Sequence, residues 1–368
     1  MVFKINWVLA LSTCILYVNA SANTTSGDIF CNLINSLSSP NESRMLTRFN
    51  AVFFGDFITG KNAGSQGPLA IGGSFKGEGA MINQRQQIND CELYPTSHGL
   101  VLNGLNYSPK VRVHGHAYLQ QQDDDSEVNA CSTSIPSSSI HRYNFDQAQT
   151  MALNISRQLV NMFPSWTIDS QGVLVKIMAE GINIKQPYSL FSLPMTCQGQ
   201  CESMGTYFSC DENRECQIPK EALSNVADSM LFGNGTWTGP VQQVYPQDKL
   251  VVFNVPVLNG QVLDIKTTNP SAGLNACNTV YHFYAVDQQG RYMSNGKFVI
   301  QRHSKHPFSG MMLAPQAHII DSNTGAFVGQ LIAASYEAQT DGVQIKDYMA
   351  AGNEKCQMFY HSCEPNPS

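Results

Sequence analysis

Phe308-Ser-Gly-Met-Met-Leu-Ala-Pro-Gln-Ala-His-Ile-Ile-Asp321, continued by Asn323-Thr-Gly-Ala-Phe-Val-Gly-Gln-Leu-Ile-Ala-Ala-Ser-Tyr-Glu337, is the stretch that decides the fold. Short apolar segments alternate with turns marked by Gly, Pro and Asn. That rhythm predicts the stacked coils of a β-solenoid.

The same grammar extends outward. Upstream, Leu250–Val257, Val280–Val286 and Lys297–Gln301 read as strands, as does Gly172–Met178. Near the start, Phe49–Phe57 reads as a strand of β-branched and aromatic residues. Gly67–Phe75 is a short strand closed by Gly72-Gly73, a pair that fits a tight turn where no Cβ is tolerated. Gly99–Gly104 and Lys110–Leu119 add two more, the second alternating through Val111 and Val113. No strict period is visible, so the expected class is all-β, an irregular right-handed β-helix.

One long helix interrupts the strands. Asn144–Met162 places Phe145, Ala148, Ala152, Ile155, Leu159 and Met162 at helical spacing, with Asn144 as N-cap and Pro164 just beyond the end. Its narrow apolar stripe predicts packing of one face on a sheet.

The first residues point to secretion. Lys4 precedes the apolar run Trp7–Val18, and small residues follow at Ala20 and Ala22, so residues 1–22 read as a cleaved signal peptide. Ten cysteines lie beyond it: Cys31, Cys91, Cys131, Cys197, Cys201, Cys210, Cys216, Cys277, Cys356 and Cys363. An even count in a secreted chain implies up to five disulfides, whose connectivity the sequence leaves open. The dense patch at 197–216 reads as a disulfide-stapled insertion, since a good zinc site would call for two Cys-x-x-Cys pairs. Sequons at Asn23, Asn41, Asn106, Asn154 and Asn234 are candidate glycosylation sites. The polar ending after Cys356 carries no GPI signal. With 14% charged residues and a net charge of −6, the composition argues against nucleic acid and anionic membranes as partners.

Four short motifs occur in a set order. They are Phe49-Asn50 with Gly55-Asp56-Phe57, then Gly67–Gly73, then Leu313-Ala-Pro-Gln-Ala317, then Gly329-Gln-Leu-Ile-Ala333. In these, and in the position of the Asn144 helix, the chain resembles the choice-of-anchor A domain family of adhesin-like surface proteins. The resemblance covers residues 47–348. It implies a β-helical solenoid with a long helix alongside, an adhesive role, and no catalytic residues to carry over. The chain departs from the family in its 197–216 cysteine patch and in lacking an anchor tail. In size and cysteine content it is also similar to fungal-type wall proteins and microsporidian spore-wall modules. The expected organisation is a signal peptide (1–22), a lead-in (23–46), the solenoid domain (47–348) and a cysteine-containing tail (349–368).

The search for chemistry returns little. There is no Gly-x-Ser-x-Gly elbow, no His-Glu-x-x-His pair and no phosphate-binding glycine loop. His114-Gly-His116 puts two imidazoles on one strand face without a third ligand, so a surface or packed pair is favoured over a metal site. The acidic loop Gln120–Glu127 lacks the alternate spacing of a calcium loop. Asp56 and Asp321 could serve a glycan-cleaving pair, although a turn role is the plainer reading for Asp56. Arg302, His303, Lys305 and His306 form a short basic stretch and are the candidate residues for sulfated glycans, set against a solvated loop. The expectation is therefore a non-enzymatic, cofactor-free, secreted glycoprotein of a cell or spore wall. Its partners would be other coat proteins or polysaccharides. The alternatives are an adhesin for cell-surface glycans and a secreted glycan-active enzyme. Ice binding requires a flat Thr-rich face, and alternating Thr runs are missing.

Overall fold

The computed structural model describes residues 45–86, 98–120, 127–134, 143–162, 164–168, 172–176, 188–193, 230–231 and 233–352. The first half supplies β1 (Ala51–Phe53), β2 (Phe57–Ile58), β3 (Gly64–Ser65), β4 (Leu69–Ile71), β5 (Phe75–Lys76) and β6 (Ala80–Ile82). It continues with β7 (His98–Leu102), β8 (Lys110–Val113), β9 (His116–Leu119), β10 (Glu127–Asn129) and β11 (Thr133–Ser134). Helix α1 (Phe145–Asn161) follows. The second half supplies β12 (Trp166–Ile168), β13 (Leu174–Lys176), β14 (Tyr188–Ser192), β15 (Leu250–Leu258) and β16 (Val262–Ile265). It ends with β17 (Thr279–Val286), β18 (Phe298–Arg302), β19 (Phe308–Asp321), β20 (Phe327–Ala338) and β21 (Gln344–Ile345).

These strands stack in parallel, the β12–β13 pair excepted, in a β-helix-like arrangement of three ladders. The first runs β11-β9-β7-β4-β1-β20-β19-β17-β15-β14-β12. The second runs β16-β18-β19-β20-β2-β5, sharing β19 and β20 with the first. The third is the five-stranded sheet β10-β8-β6-β3-β21. The first coils march away from β1, and the later coils march back until β20 lies beside it, Ala51 opposite Leu331. The middle of the molecule is thus built from segments distant in sequence, a topology of high contact order that folds slowly.

Several segments that read as one strand are two strands joined by a corner. Phe49–Phe57 bends at Gly55-Asp56, and Gly67–Phe75 bends at Gly72–Ser74. Lys110–Leu119 bends at Gly115, whose φ is +99°. The Pro315 segment behaves in the opposite way: β19 runs through it with a register shift between Ala314 and His318. The side chain of Gln316 holds that bend, accepting from the Ala285 N–H at 3.0 Å and donating to the Ser294 carbonyl at 3.1 Å.

The Gly72-Gly73 pair is required for a reason other than turn geometry, because neither residue has positive φ. Corners of successive coils sit directly on one another: Gly73 N–H donates to Gly55 O at 2.9 Å and Gly104 N–H to Gly73 O at 3.0 Å. A Cβ on Gly73 would lie 2.3 Å from Asp56 Oδ1 and 2.5 Å from the Gly55 carbonyl carbon. Gly73→Ala is therefore expected to cost about 1–3 kcal/mol, the range for overpacking, read as a lower urea midpoint at unchanged m-value.

Inside the coils, aromatic rings stack from strand to strand. Phe53, Phe57 and Tyr336 meet at centroid distances of 5.1–5.2 Å, and Phe57 reaches Phe75 at 5.4 Å. In the later coils Phe191, Phe253, Tyr281 and Phe308 form a second series at 5.1, 5.4 and 4.3 Å. Each such pair adds about 0.5–1.5 kcal/mol beyond the area it buries.

Helix α1 begins as expected, with Asn144 Oδ1 accepting from Gln147 N–H at 3.0 Å. Its stripe Phe145, Ala148, Ala152, Ile155 and Leu159 is buried, joined by Met151 and Ser156. It covers the outer side of the first ladder, closing over Val52, Ala70, Leu190, Val252, Leu313 and Ile332. That coverage explains a difference in patterning. Strands buried on both sides read as continuous apolar runs, such as Leu250–Leu258, whereas the uncovered β8 and β18 alternate.

Candidate functional surface

Among the described residues α1 covers the first ladder, and the outer sides of the second and third ladders are left uncovered. Register places two outward rows across the second. Val262, Val299, His318 and Ser335 lie in line. Beside them run Asp264, Gln301, Ile320, Glu337, Ile58 and Lys76. Adjacent strands are spaced about 4.8 Å, so the second row spans about 24 Å. Val262 is 48% exposed and Ile58 38%. The inward positions Leu263, Ile300, Ile319, Tyr336, Phe57 and Phe75 are buried and hold the surface rigid from beneath. This is a broad sheet face of mixed apolar and charged side chains.

The candidate glycan residues divide. Arg302 is not available to a ligand: it is fully buried at the end of β18 with its Nη2 2.5 Å from the Asp321 carboxylate, also fully buried. Its Nη1 donates to Ser304 O at 3.0 Å and its Nη2 to Ser322 O at 2.7 Å. Asp321 accepts further from Tyr336 OH at 2.7 Å and from Ser322 N–H at 2.8 Å. Burial pushes the Asp321 carboxyl above the ordinary carboxylate range, and the guanidinium and these donors offset that only in part. The guanidinium cannot give up its charge, and Asp321 only accepts in these contacts. Alternation along Phe298–Arg302 already assigns Arg302 the inward side, a signal that the grouping by charge overlooked. His303, Lys305 and His306 remain exposed.

The other sequence candidates also resolve. Gly115 turns the chain between His114 and His116, so His114 lies just beyond the end of β8 while His116 opens β9. His114 Nδ1 pairs with Gln86 O at 2.6 Å and His116 Nδ1 with Ser132 Oγ at 2.7 Å. Among the described residues no group of three metal-ligating side chains forms. Asp56 does hold its corner, its Oδ1 accepting from Ser74 N–H at 2.7 Å. Asn154 and Asn234 are exposed, whereas Asn106 is 1% exposed and its Nδ2 is enclosed without a hydrogen-bond partner. A glycan on Asn106 is therefore incompatible with this packing. Cys131 and Cys277 are each disulfide-bonded. The other cysteines, Asn23, Asn41, the signal segment and the 197–216 patch lie outside the described residues.

One arrangement that sequence reading missed looks chemical. Ser156 Oγ meets His282 Nε2 at 2.8 Å, and His282 Nδ1 meets Asn254 Oδ1 at 2.7 Å. Asn254 Nδ2 in turn donates to Leu159 O at 2.8 Å. The hydroxyl–imidazole–amide order is that of a nucleophile relay, but all three side chains are buried between α1 and the sheet. No substrate reaches the hydroxyl, and desolvation lowers the His282 pKa to about 3, so the ring is neutral. The chain of bonds pins the helix to β15 and β17.

Residues 42–345 match the model of a family described as "Putative Ice-binding-like adhesive domain". The chain belongs to this family. A comparison with curated protein sequences gave no match. Among solved structures the chain is similar to an ice-binding protein with antifreeze activity from an Arctic yeast, at 10% identity and a TM-score of 0.33, over 82% of this chain and 92% of that one. The adhesive-domain family agrees with the adhesin-like character expected from the four motifs. No described helix is long and apolar enough to cross a membrane.

Proposed function

We propose that this ice-binding-like adhesive domain is a non-enzymatic, secreted surface protein of a cell or spore wall that attaches through the outer side of its second ladder. The observation that carries the reading is the asymmetry of the fold: one ladder is sealed by α1, while a broad face presents Val262, Val299, Ile320 and Ile58 among charged neighbours. The coil of this reading is right-handed, the hand that parallel crossovers take in nearly all cases. Disulfides beyond those of Cys131 and Cys277, including a stapled 197–216 insertion, and glycans on Asn154 and Asn234 fit an extracellular setting. The outward rows carry Val, His, Ser, Asp, Gln, Ile, Glu and Lys without a threonine array, so a partner surface fits this face better than ice.

Immunogold labelling of intact cells tests the reading. Label is expected in the wall, surviving a salt wash and released by reductant. A double variant, Ile58→Glu with Val262→Glu, is expected to lower wall retention severalfold while melting like the parent. Label confined to the medium, or retention unchanged in that variant, would overturn it.

A further inference from the structure

The third ladder has its own uncovered surface. Along β8, Val111 and Val113 point inward and are buried, so Lys110 and Arg112 both point outward and are exposed. They stand two residues apart, about 6.6–6.8 Å along the strand. Register sets Glu127 beside Lys110, Asn129 beside Arg112, and Met81 on Arg112's other side. Asn62 and Gly79 complete a groove of about 360 Å³ with these residues. Gly79, with φ +67°, and Ala80 keep its floor low. Neither Lys110 nor Arg112 joins an ion pair among the described residues, whereas Lys61, Lys266, Arg85, Arg291 and Arg302 all do.

We propose that this groove binds an acidic polysaccharide of low charge density, with one uronate carboxylate held between Lys110 and Arg112. The separation of the two cations lets their long side chains converge on a single carboxylate, and Arg112 can grip it bidentately. The amides of Asn62 and Asn129 and the carboxylate of Glu127 offer donors and acceptors suited to ring hydroxyls, and Met81 gives an apolar patch for a sugar face. Glu127 disfavours a dense polyanion. Nucleic acid is further disfavoured because, among the described residues, the groove has no aromatic ring on which a base could stack. The proposal rests on the adhesive reading, and adds a ligand class and a separate site to it.

The test uses the full secreted chain with hyaluronan, which carries one carboxylate per disaccharide. Neutral dextran, single-stranded DNA and sodium sulfate serve as comparison ligands, with titrations at low and high salt. The wild-type chain is expected to bind hyaluronan, more weakly as salt rises, since exposed charges are screened. Lys110→Ala with Arg112→Ala is expected to lose about tenfold in affinity, equivalent to about 1.4 kcal/mol, at an unchanged melting temperature. Ile58→Glu with Val262→Glu is expected to bind hyaluronan like the parent, which separates failure of this groove from failure of the broad face. Equal binding by the Lys110/Arg112 variant, equal binding of dextran, or tighter binding of DNA would each overturn the proposal. So would a response to sulfate alone.

Discussion

Replacing Arg302 with Ala is expected to lower the unfolding free energy by about 3–5 kcal/mol, the cost of stranding one partner of a buried ion pair. The loss has two parts. Asp321, fully buried, would lose its counter-charge while keeping only the Tyr336 hydroxyl and the Ser322 N–H. The carbonyls of Ser304, Ser322 and Thr324, which now accept from the guanidinium, would lose their donor. Those carbonyls belong to the turns at the ends of β18 and β19, so the corner itself should loosen. Gly325, with φ +63°, sits in that corner, and a Cβ there would lie 2.5 Å from Ser304 O. Urea unfolding checks the magnitude. A charge-free replacement, Arg302→Met with Asp321→Leu, should recover much of the loss, because an apolar pair of similar volume often matches a buried ion pair. If Arg302→Ala melts like the parent while still folding, the buried pair is not what holds the corner.

The second large effect is acid sensitivity through His282. Its folded pKa lies at about 3, below the ordinary value of 6.5, because burial opposes the charged ring. Between those values the unfolded chain binds a proton that the folded chain refuses, so stability falls as pH drops through 6.5 toward 3. The slope from this residue reaches about 1.4 kcal/mol per pH unit at most, or about 4–5 kcal/mol across the window. Protonation would reverse the Ser156–His282 bond, with Nε2–H donating to the hydroxyl oxygen, and would place an uncompensated charge between α1 and the sheet. The expected measurement is a fall of the urea midpoint between pH 6.5 and 4 that His282→Gln flattens. An equal slope in parent and variant would place the acid sensitivity elsewhere.

Much of the frame was legible because it rests on local chemistry. Asn144 caps α1 through its own side chain, and the 3.6-residue stripe of that helix needs only a sheet to meet. Gly and Pro punctuation marked where strands stop, which is a local steric matter. What the punctuation could not show was which stops are corners between ladders. Gly115 and Gly55-Asp56 end one strand and begin another on a different side, while Pro315 lies within a continuous β19. The uncovered face was also partly written in the pattern. Within Phe308–Asp321 the burial changes from continuous to alternating where the strand leaves the cover of α1. Grouping Arg302 with Lys305 by charge passed over that alternation.

The sequence by itself determined a β-rich chain with parallel-coil grammar, one capped amphipathic helix and an adhesive-domain signature, because propensity, capping and spacing act over a few residues. Only the tertiary structure decided that β20 closes beside β1, that Arg302 turns inward to Asp321, that Asn106 is enclosed and that Lys110 and Arg112 share an open groove. Each depends on which coil lies above which, and that register is set by long-range packing between residues up to 280 positions apart (Ala51 opposite Leu331), beyond the reach of any local pattern.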